Sequence, residues 1–186
     1  MNRRSDEVLL DFYTSIFSSG FTISVAVQEA RVLFPRTGRR ADTTLVISHA
    51  RRRFINMQAN LAEKPPDAVF FKAPVPGKLG GNTPQSMWVW PGQRLVESGG
   101  AVKKGVFEGV ETVTPDEIVL HNGVRLTAYQ GIRTLRLCSA ITYASCQGLT
   151  LHGVVRLCDT ESKHFTYKHL YVGASRATGH HLLEIE

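Results

Sequence analysis

No apolar run in this 186-residue sequence approaches the roughly 18 residues that a membrane span requires. The amino-terminal stretch Met1 to Glu7 has basic residues, Arg3 and Arg4, but the apolar segment behind it is broken by Asp11, so it does not read as a secretory signal. Cysteine is scarce and odd in number. Cys138, Cys146 and Cys158 form no CxxC pair, which argues against a disulfide framework and against a cysteine zinc site. The expected setting is a reducing intracellular one, cytoplasm or nucleus, with a viral source compatible. The phosphate loop GxxxxGK[ST] is missing too. The nearest stretch, Pro76-Gly-Lys-Leu-Gly-Gly-Asn82, has the wrong spacing and no Ser or Thr after its lysine, so it reads as a plain loop. No apolar strand ends in the acidic pair that holds magnesium, because Asp159 stands alone after residues 154–158. The chain is therefore not expected to hydrolyse ATP by itself. His180 and His181 are adjacent on an expected strand, where side chains alternate, so no metal site is expected. There is no internal repeat and no low-complexity tract.

What remains is an ordinary globular composition with a basic bias. Hydrophobic residues make up 42% and charged residues 20%, which suits one domain with a packed core, or one domain carrying a small insertion. The net charge is +6. Charge alone does not separate a polyanion binder from a soluble basic domain. The clustering of Arg36, Arg39, Arg40, Arg51, Arg52 and Arg53 favours a phosphate-facing surface.

Taken in order, residues 5–18 carry a helical apolar stripe, with Ser5 or Asp6 as cap, Gly20 as stop, and Phe12, Tyr13 and Phe17 as core. Residues 21–34 are ambiguous between a strand over 22–27 and a short helix over 27–33. A buried strand is expected at 43–48 and a helix at 50–63, ended by Pro65-Pro66. Another strand falls at 68–72. From Ser86 to Ala128 short β-like runs follow at close spacing, and Asn122-Gly123 is the strongest hairpin signal. Residues 134–141, 154–158 and 181–185 read as returning strands, and the last helix lies within 163–177. His49 and Arg51 to Arg53 then sit where a strand hands over to a helix, the edge at which open α/β sheets bind ligands. Positive charge on a positive helix end points to an anion.

Two stretches stand out. One is Ala140-Ile-Thr-Tyr-Ala-Ser-Cys-Gln-Gly-Leu-Thr-Leu151, an apolar run feeding a polar turn. The other is Leu170-Tyr-Val-Gly-Ala-Ser-Arg-Ala177. Together they suggest an α/β sheet that handles nucleotide or nucleic acid. Their order, behind a strand ending in His49-Ala-Arg-Arg-Arg and an inserted β-module, resembles the C-terminal RecA-like domain of superfamily 1 DNA helicases of the RecD/Dda-like type, within the UvrD-like C-terminal domains. The three segments resemble motifs IV, V and VI, and the β-module resembles the SH3-like insertion of that family. Nearly the whole chain is covered.

The resemblance implies a RecA-like, mostly parallel sheet flanked by helices over 1–85 and 133–186, with an SH3-like antiparallel β-barrel over 86–132. It implies that Arg176 is an arginine finger reaching ATP held by another domain. Gln147 and Gly148 would sense that nucleotide. Ser145 and Gln147 would touch the DNA backbone, and His49, Arg51, Arg52 and Arg53 would line the motif IV side. Tyr171 is expected to pack beneath motif VI, and Cys146 to be buried and inert. ATP and magnesium would act only together with an N-terminal RecA-like domain bearing both Walker motifs, present in cis or in trans. The implied partners are single-stranded DNA and that domain, in DNA replication or repair. The sequence departs from the family where Tyr143-Ala144 replaces a His-Lys pair, which removes an imidazole and a charge. Gly173 and Ala174 replace an Ala and a Leu. Motifs I, Ia, II and III do not occur, so the chain is expected to be either a fragment of a longer helicase or a stand-alone half. The alternatives are a helicase-derived module that binds nucleic acid or protein without catalysis, and a structural protein that kept the fold.

Overall fold

The computed structural model describes residues 6–18, 20–74, 83–99 and 105–186. The loop at 76–82 and the alternative cap Ser5 lie outside the described residues. The chain divides into two compact units, residues 1–52 with 139–186, and residues 53–138. From the sequence, the insertion is expected at 86–132.

In the first unit, α1 (Glu7–Ser15) is capped by Asp6, whose Oδ1 accepts the Leu9 N–H at 3.0 Å. It buries Leu9 and Phe12, and Phe12 meets Phe34 edge-on at 4.9 Å. Phe17, expected in the core, is instead 63% exposed. Its position just past the last turn of α1 lays it on the rings of Tyr167 and Tyr171 at the surface. The ambiguous segment is one helix, α2 (Ile23–Leu33), with Thr22 as its cap and Ala26, Val27 and Ala30 on its buried face. β1 (Thr43–Val46) is buried along its whole length and central in a parallel sheet. α3 (His49–Glu63) follows directly.

The second unit holds most of α3 and an antiparallel module. β2 (Val69–Phe71) pairs with β3 (Met87–Val89). β4 (Arg94–Glu97), β5 (Phe107–Val113), β6 (Glu117–Leu120) and β7 (Arg125–Thr127) form a meander, with Asn122-Gly123 turning β6 into β7. Gly123 sits at φ +81 and donates its N–H to the Leu120 carbonyl. A helix absent from the sequence reading comes next. α4 (Ala128–Thr134) starts from a capping box in which Thr127 and Gln130 bond reciprocally. Met87, Val89, Leu95, Val110, Ile118 and Leu135 form the heart of this unit's core.

The expected single strand over 134–141 is two. β8 (Leu135–Leu137) pairs antiparallel with β4 in the second unit. β9 (Ala140–Thr142) pairs parallel with β1 in the first. The Asn56 side chain donates to the Leu137 carbonyl at 3.1 Å, and Ser139 offers its carbonyl to Thr44. The chain thus changes sheets within two residues, Cys138 and Ser139, with a bend at Ser139. β10 (Val155–Leu157), α5 (Tyr167–Ala174) and β11 (Leu183–Ile185) complete a four-stranded parallel sheet in the order β11-β10-β1-β9. The fold is α/β, with a parallel sheet and helices, as the sequence reading expected at that level. Leu45, Val46, Val155, Leu157, Leu170 and Leu183 are among its most buried apolar residues. β11 is shorter than expected because His180–Leu182 form a 3-10 turn. The two histidines therefore do not alternate across a strand; their ring centroids lie 5.5 Å apart. Among the described residues no helix is long and apolar enough to cross a membrane.

Candidate functional site

β9 delivers the chain to the carboxyl edge of the parallel sheet, where Tyr143 still donates its N–H to the Val46 carbonyl. There the backbone folds into a compact turn. Ser145 N–H donates to the Thr142 carbonyl at 2.9 Å, and the Thr142 and Ser145 hydroxyls lie 2.8 Å apart. Cys146 N–H also reaches the Thr142 carbonyl, and Leu149 N–H reaches the Cys146 carbonyl. Local hydrogen bonding of this kind suits Thr and Ser, which pull the backbone away from strand geometry. Ser145, Gln147 and Gly148 are exposed, and Gly148 takes φ +82 with open space around its Cα. Cys146 is fully buried, and burial pushes its thiol up to about 12 despite the nearby Arg176 charge.

Arg176 lies just past α5 and is half-buried. Its Nη1 donates to the Leu149 carbonyl at 3.2 Å, and its Nη2 donates to the Ser175 hydroxyl at 2.9 Å. The Arg176 carbonyl accepts the Leu151 N–H at 3.0 Å. The two stretches singled out in the sequence are therefore joined directly. Gly173 permits the approach. A Cβ there would stand 2.7 Å from Leu157 Cδ2, 2.8 Å from Leu157 Cγ and 3.0 Å from the Tyr143 ring. The glycine that departs from the family pattern thus lets α5 lie hard against β10.

Tyr143, at the other departure, is interior at 2% exposure. Its hydroxyl donates to the Cys158 carbonyl at 2.9 Å, and its ring meets Phe165 and His169 edge-on. Burial raises its phenol well above the ordinary value. His169 Nδ1 accepts the Thr166 N–H at 3.1 Å, which leaves the proton on Nε2. Burial, then the neighbouring Lys168 charge, pushes this imidazole below its ordinary range. Tyr143, Ala144, Gln147, Lys168, His169 and Val172 line a cleft of about 150 Å³ between the turn and α5.

Where β1 hands over to α3, the arginines at 51, 52 and 53 each have their own surroundings. Ser48 caps α3 by accepting the Arg51 N–H at 3.1 Å. The Arg51 side chain pairs with Asp159 at 3.1 Å and Glu186 at 3.5 Å. Arg52 is only 5% exposed. Arg53 donates to the Thr83 hydroxyl, and its carbonyl accepts from Gln85. His49 is half-buried, and Tyr171 is 37% exposed, meeting Tyr13 edge-on.

Sequence reasoning gave no role to Asp159, yet it stands at the switch point of the sheet. Connections leave β1 toward β9 and β10 toward β11, in opposite directions, and open a crevice between the ends of β1 and β10. Asp159 takes φ +63, and its Oδ2 accepts the Ile47 N–H at 2.8 Å across that crevice. Arg31, Arg51, Thr160, Glu161 and Glu186 complete a hollow of about 380 Å³ around it. Only a lone acid directly after a buried strand hinted at this in the sequence.

No protein-family model and no curated protein sequence matches the chain. Solved structures do match. Against Pif1 helicase from Candida albicans, the identity is 14% and the TM-score 0.67, over 100% of this chain and 54% of that one. Against Bacteroides Pif1 bound to single-stranded DNA, the values are 14% and 0.65, over 99% and 50%. A structure of two coordinating Pif1 helicases at forked double-stranded DNA gives 17% and 0.69, over 100% and 48%. The chain spans about half the length of these solved structures and shares their helicase-domain fold across that half.

Proposed function

We propose that this chain is the second RecA-like motor domain of a superfamily 1 DNA helicase of the RecD/Dda-like type, with the module around β4–β8 as its SH3-like insertion. The observation that carries this reading is the hydrogen-bonded junction of Arg176 with the turn at 142–151. In such a motor, a guanidinium supplied to a nucleotide must be coupled to a loop on the DNA track. Here the same side chain contacts both segments. Arg176 would be the finger. Gln147 and Gly148 would face the nucleotide, and Ser145, Gln147, His49 and Arg51 to Arg53 the nucleic acid.

ATP and magnesium would be held by a separate phosphate-loop domain in cis or in trans. Asp159 is committed to the Ile47 N–H and to Arg51, so it does not present itself as a magnesium ligand. The chain's own contribution is positional. It would orient Arg176 toward phosphoryl oxygens and lay the exposed turn against the DNA backbone, without reading bases.

A second reading, a helicase-derived module that binds nucleic acid or protein without catalysis, is favoured by one observation. The Arg176 guanidinium is satisfied internally by Leu149 and Ser175, and Ala144 is exposed where the family pattern has a lysine.

The test is fluorescence anisotropy of a labelled oligothymidylate, titrated with the chain over a salt series. Binding should weaken steeply with salt. Arg51→Ala should lower the slope by about one, the signature of a lost phosphate contact. Absence of binding at low salt, or salt-independent binding, would refute the DNA track. The finger has its own test in the chain joined to a phosphate-loop domain. There Arg176→Ala should reduce ATP hydrolysis by about 10³ or more, and unchanged hydrolysis would leave only the binding-module reading.

A further inference from the structure

Away from both loops, three side chains with metal-binding atoms converge from opposite ends of the sequence. Asp6, ahead of α1, meets His180 and His181 of the 3-10 turn ahead of β11. One ligand atom from each lies within 4.8 Å of the others. We propose that they form a divalent-cation site of the zinc class, a clip that ties α1 to the turn entering β11.

The turn geometry makes this possible. In a 3-10 helix successive side chains are about 120° apart rather than opposed, so two adjacent histidines can serve one centre. Gly179 leaves the room they need. A Cβ there would stand 2.9 Å from His181 Cε1, 3.2 Å from its Nδ1 and 3.5 Å from Asp6 Oδ2.

The cluster is held from outside as well. Asp6 Oδ1 is fixed by the Leu9 N–H at 3.0 Å, and Oδ2 by the His180 N–H at 2.6 Å. Arg39 Nη2 donates to the His181 carbonyl at 2.6 Å, which anchors the turn from a third segment. Groups around the ligands thus orient them, as around built metal centres. His180 Nδ1 lies 3.0 Å from Asp6 Oδ2, a direct contact that a cation of this class would replace by bonding to both groups.

The donor set decides the cation. Two imidazoles and one carboxylate suit zinc and its transition-metal neighbours, whereas magnesium and calcium prefer all-oxygen cages. His180 is 49% exposed, so water has access to the remaining coordination position. The role is to fasten α1 to the sheet, and it stands apart from the motor reading.

The experiment is calorimetric titration of the tag-free chain with zinc chloride in a non-chelating buffer, repeated with Asp6→Asn and His181→Ala. Asn retains the helix cap while removing the carboxylate charge, and the His181 ring makes no hydrogen bond among those described. Circular dichroism checks that both variants fold, and Asp6→Asn alone still decides the question if the histidine variant does not. One equivalent of zinc should bind to the parent chain and raise its Tm, and each folded variant should bind at least tenfold more weakly. Cobalt in place of zinc should give visible d–d bands without a thiolate charge-transfer band, and excess magnesium should not displace zinc. No zinc binding, unchanged binding in the variants, a thiolate band or displacement by magnesium would each overturn the site.

Discussion

Replacing Gly173 by alanine sets two effects against each other at one helix position. Alanine should stabilise the interior of α5 by about 1 kcal/mol over glycine. The new methyl, however, would press on Leu157 Cδ2 and Cγ at 2.7 and 2.8 Å and on the Tyr143 ring at 3.0 Å. Leu157 is fully buried in β10, and Tyr143 is pinned through its hydroxyl to Cys158. Neither can swing into solvent, so the overpacking cost falls toward the upper part of the usual range, about 2–3 kcal/mol. The net loss should be about 1–2 kcal/mol, or roughly 2–8 °C in Tm for a chain of this size. Urea unfolding followed by circular dichroism measures it. Leu157→Ala opens the space the methyl needs, so the double variant should be less damaged than the sum of the two singles. A Gly173→Ala chain as stable as its parent, or strict additivity with Leu157→Ala, would refute the close approach of α5 to the sheet.

Two further outcomes follow from buried ionisable groups. Cys146 and Cys158 have thiols pushed up to about 12, by burial first and, at Cys158, by the Glu186 carboxylate as well; both should stay silent toward a thiol reagent at pH 8 and react fully in urea. Glu184 carries no exposed side-chain surface. Burial alone would raise its carboxyl, but hydrogen bonds from Thr37 and the Arg156 guanidinium outweigh that and hold it below the ordinary range. Its stabilisation is therefore complete above the ordinary glutamate value of about 4.3 and is lost as pH falls through the lowered folded value. Glu184→Gln should cost about 3 kcal/mol at pH 7 and flatten the acid limb of a stability–pH curve, whereas an unchanged acid limb would contradict the assignment.

The elements with strong local signals were legible in the sequence. A β-branched run gave β1, the Asn122-Gly123 pair gave the β6–β7 hairpin, and the proline pair closed α3. Boundaries set by partners were not legible. Nothing in residues 134–141 says that Leu135 to Leu137 will join one sheet and Ala140 to Thr142 another, because both runs are equally apolar. α2 was ambiguous because its β-branched start competes with the Thr22 cap, and packing against β11 decides it. At the candidate site, the junction of the turn with Arg176 was anticipated only as two separate stretches. The pairing of Arg51 with Asp159 and Glu186 was not visible, since spacing says nothing about which carboxylate answers a charge. The histidine pair reads as part of a strand in the sequence, whereas the chain forms a 3-10 turn there.

The placement of β1 also has a consequence in time. Thr44 must pair with Ala140, across the whole of residues 53–138, before the parallel sheet exists. Closing so long a loop is entropically unfavourable and slow. The intervening unit is a meander of near neighbours, and its own ends are drawn together where Asn56 bonds to Leu137. Once that unit has formed, the loop is effectively short, and β1 and β9 are handed to each other. The expected order of assembly is the inserted unit first and the parallel sheet second, although the sheet's first strand leaves the ribosome before any of the insertion.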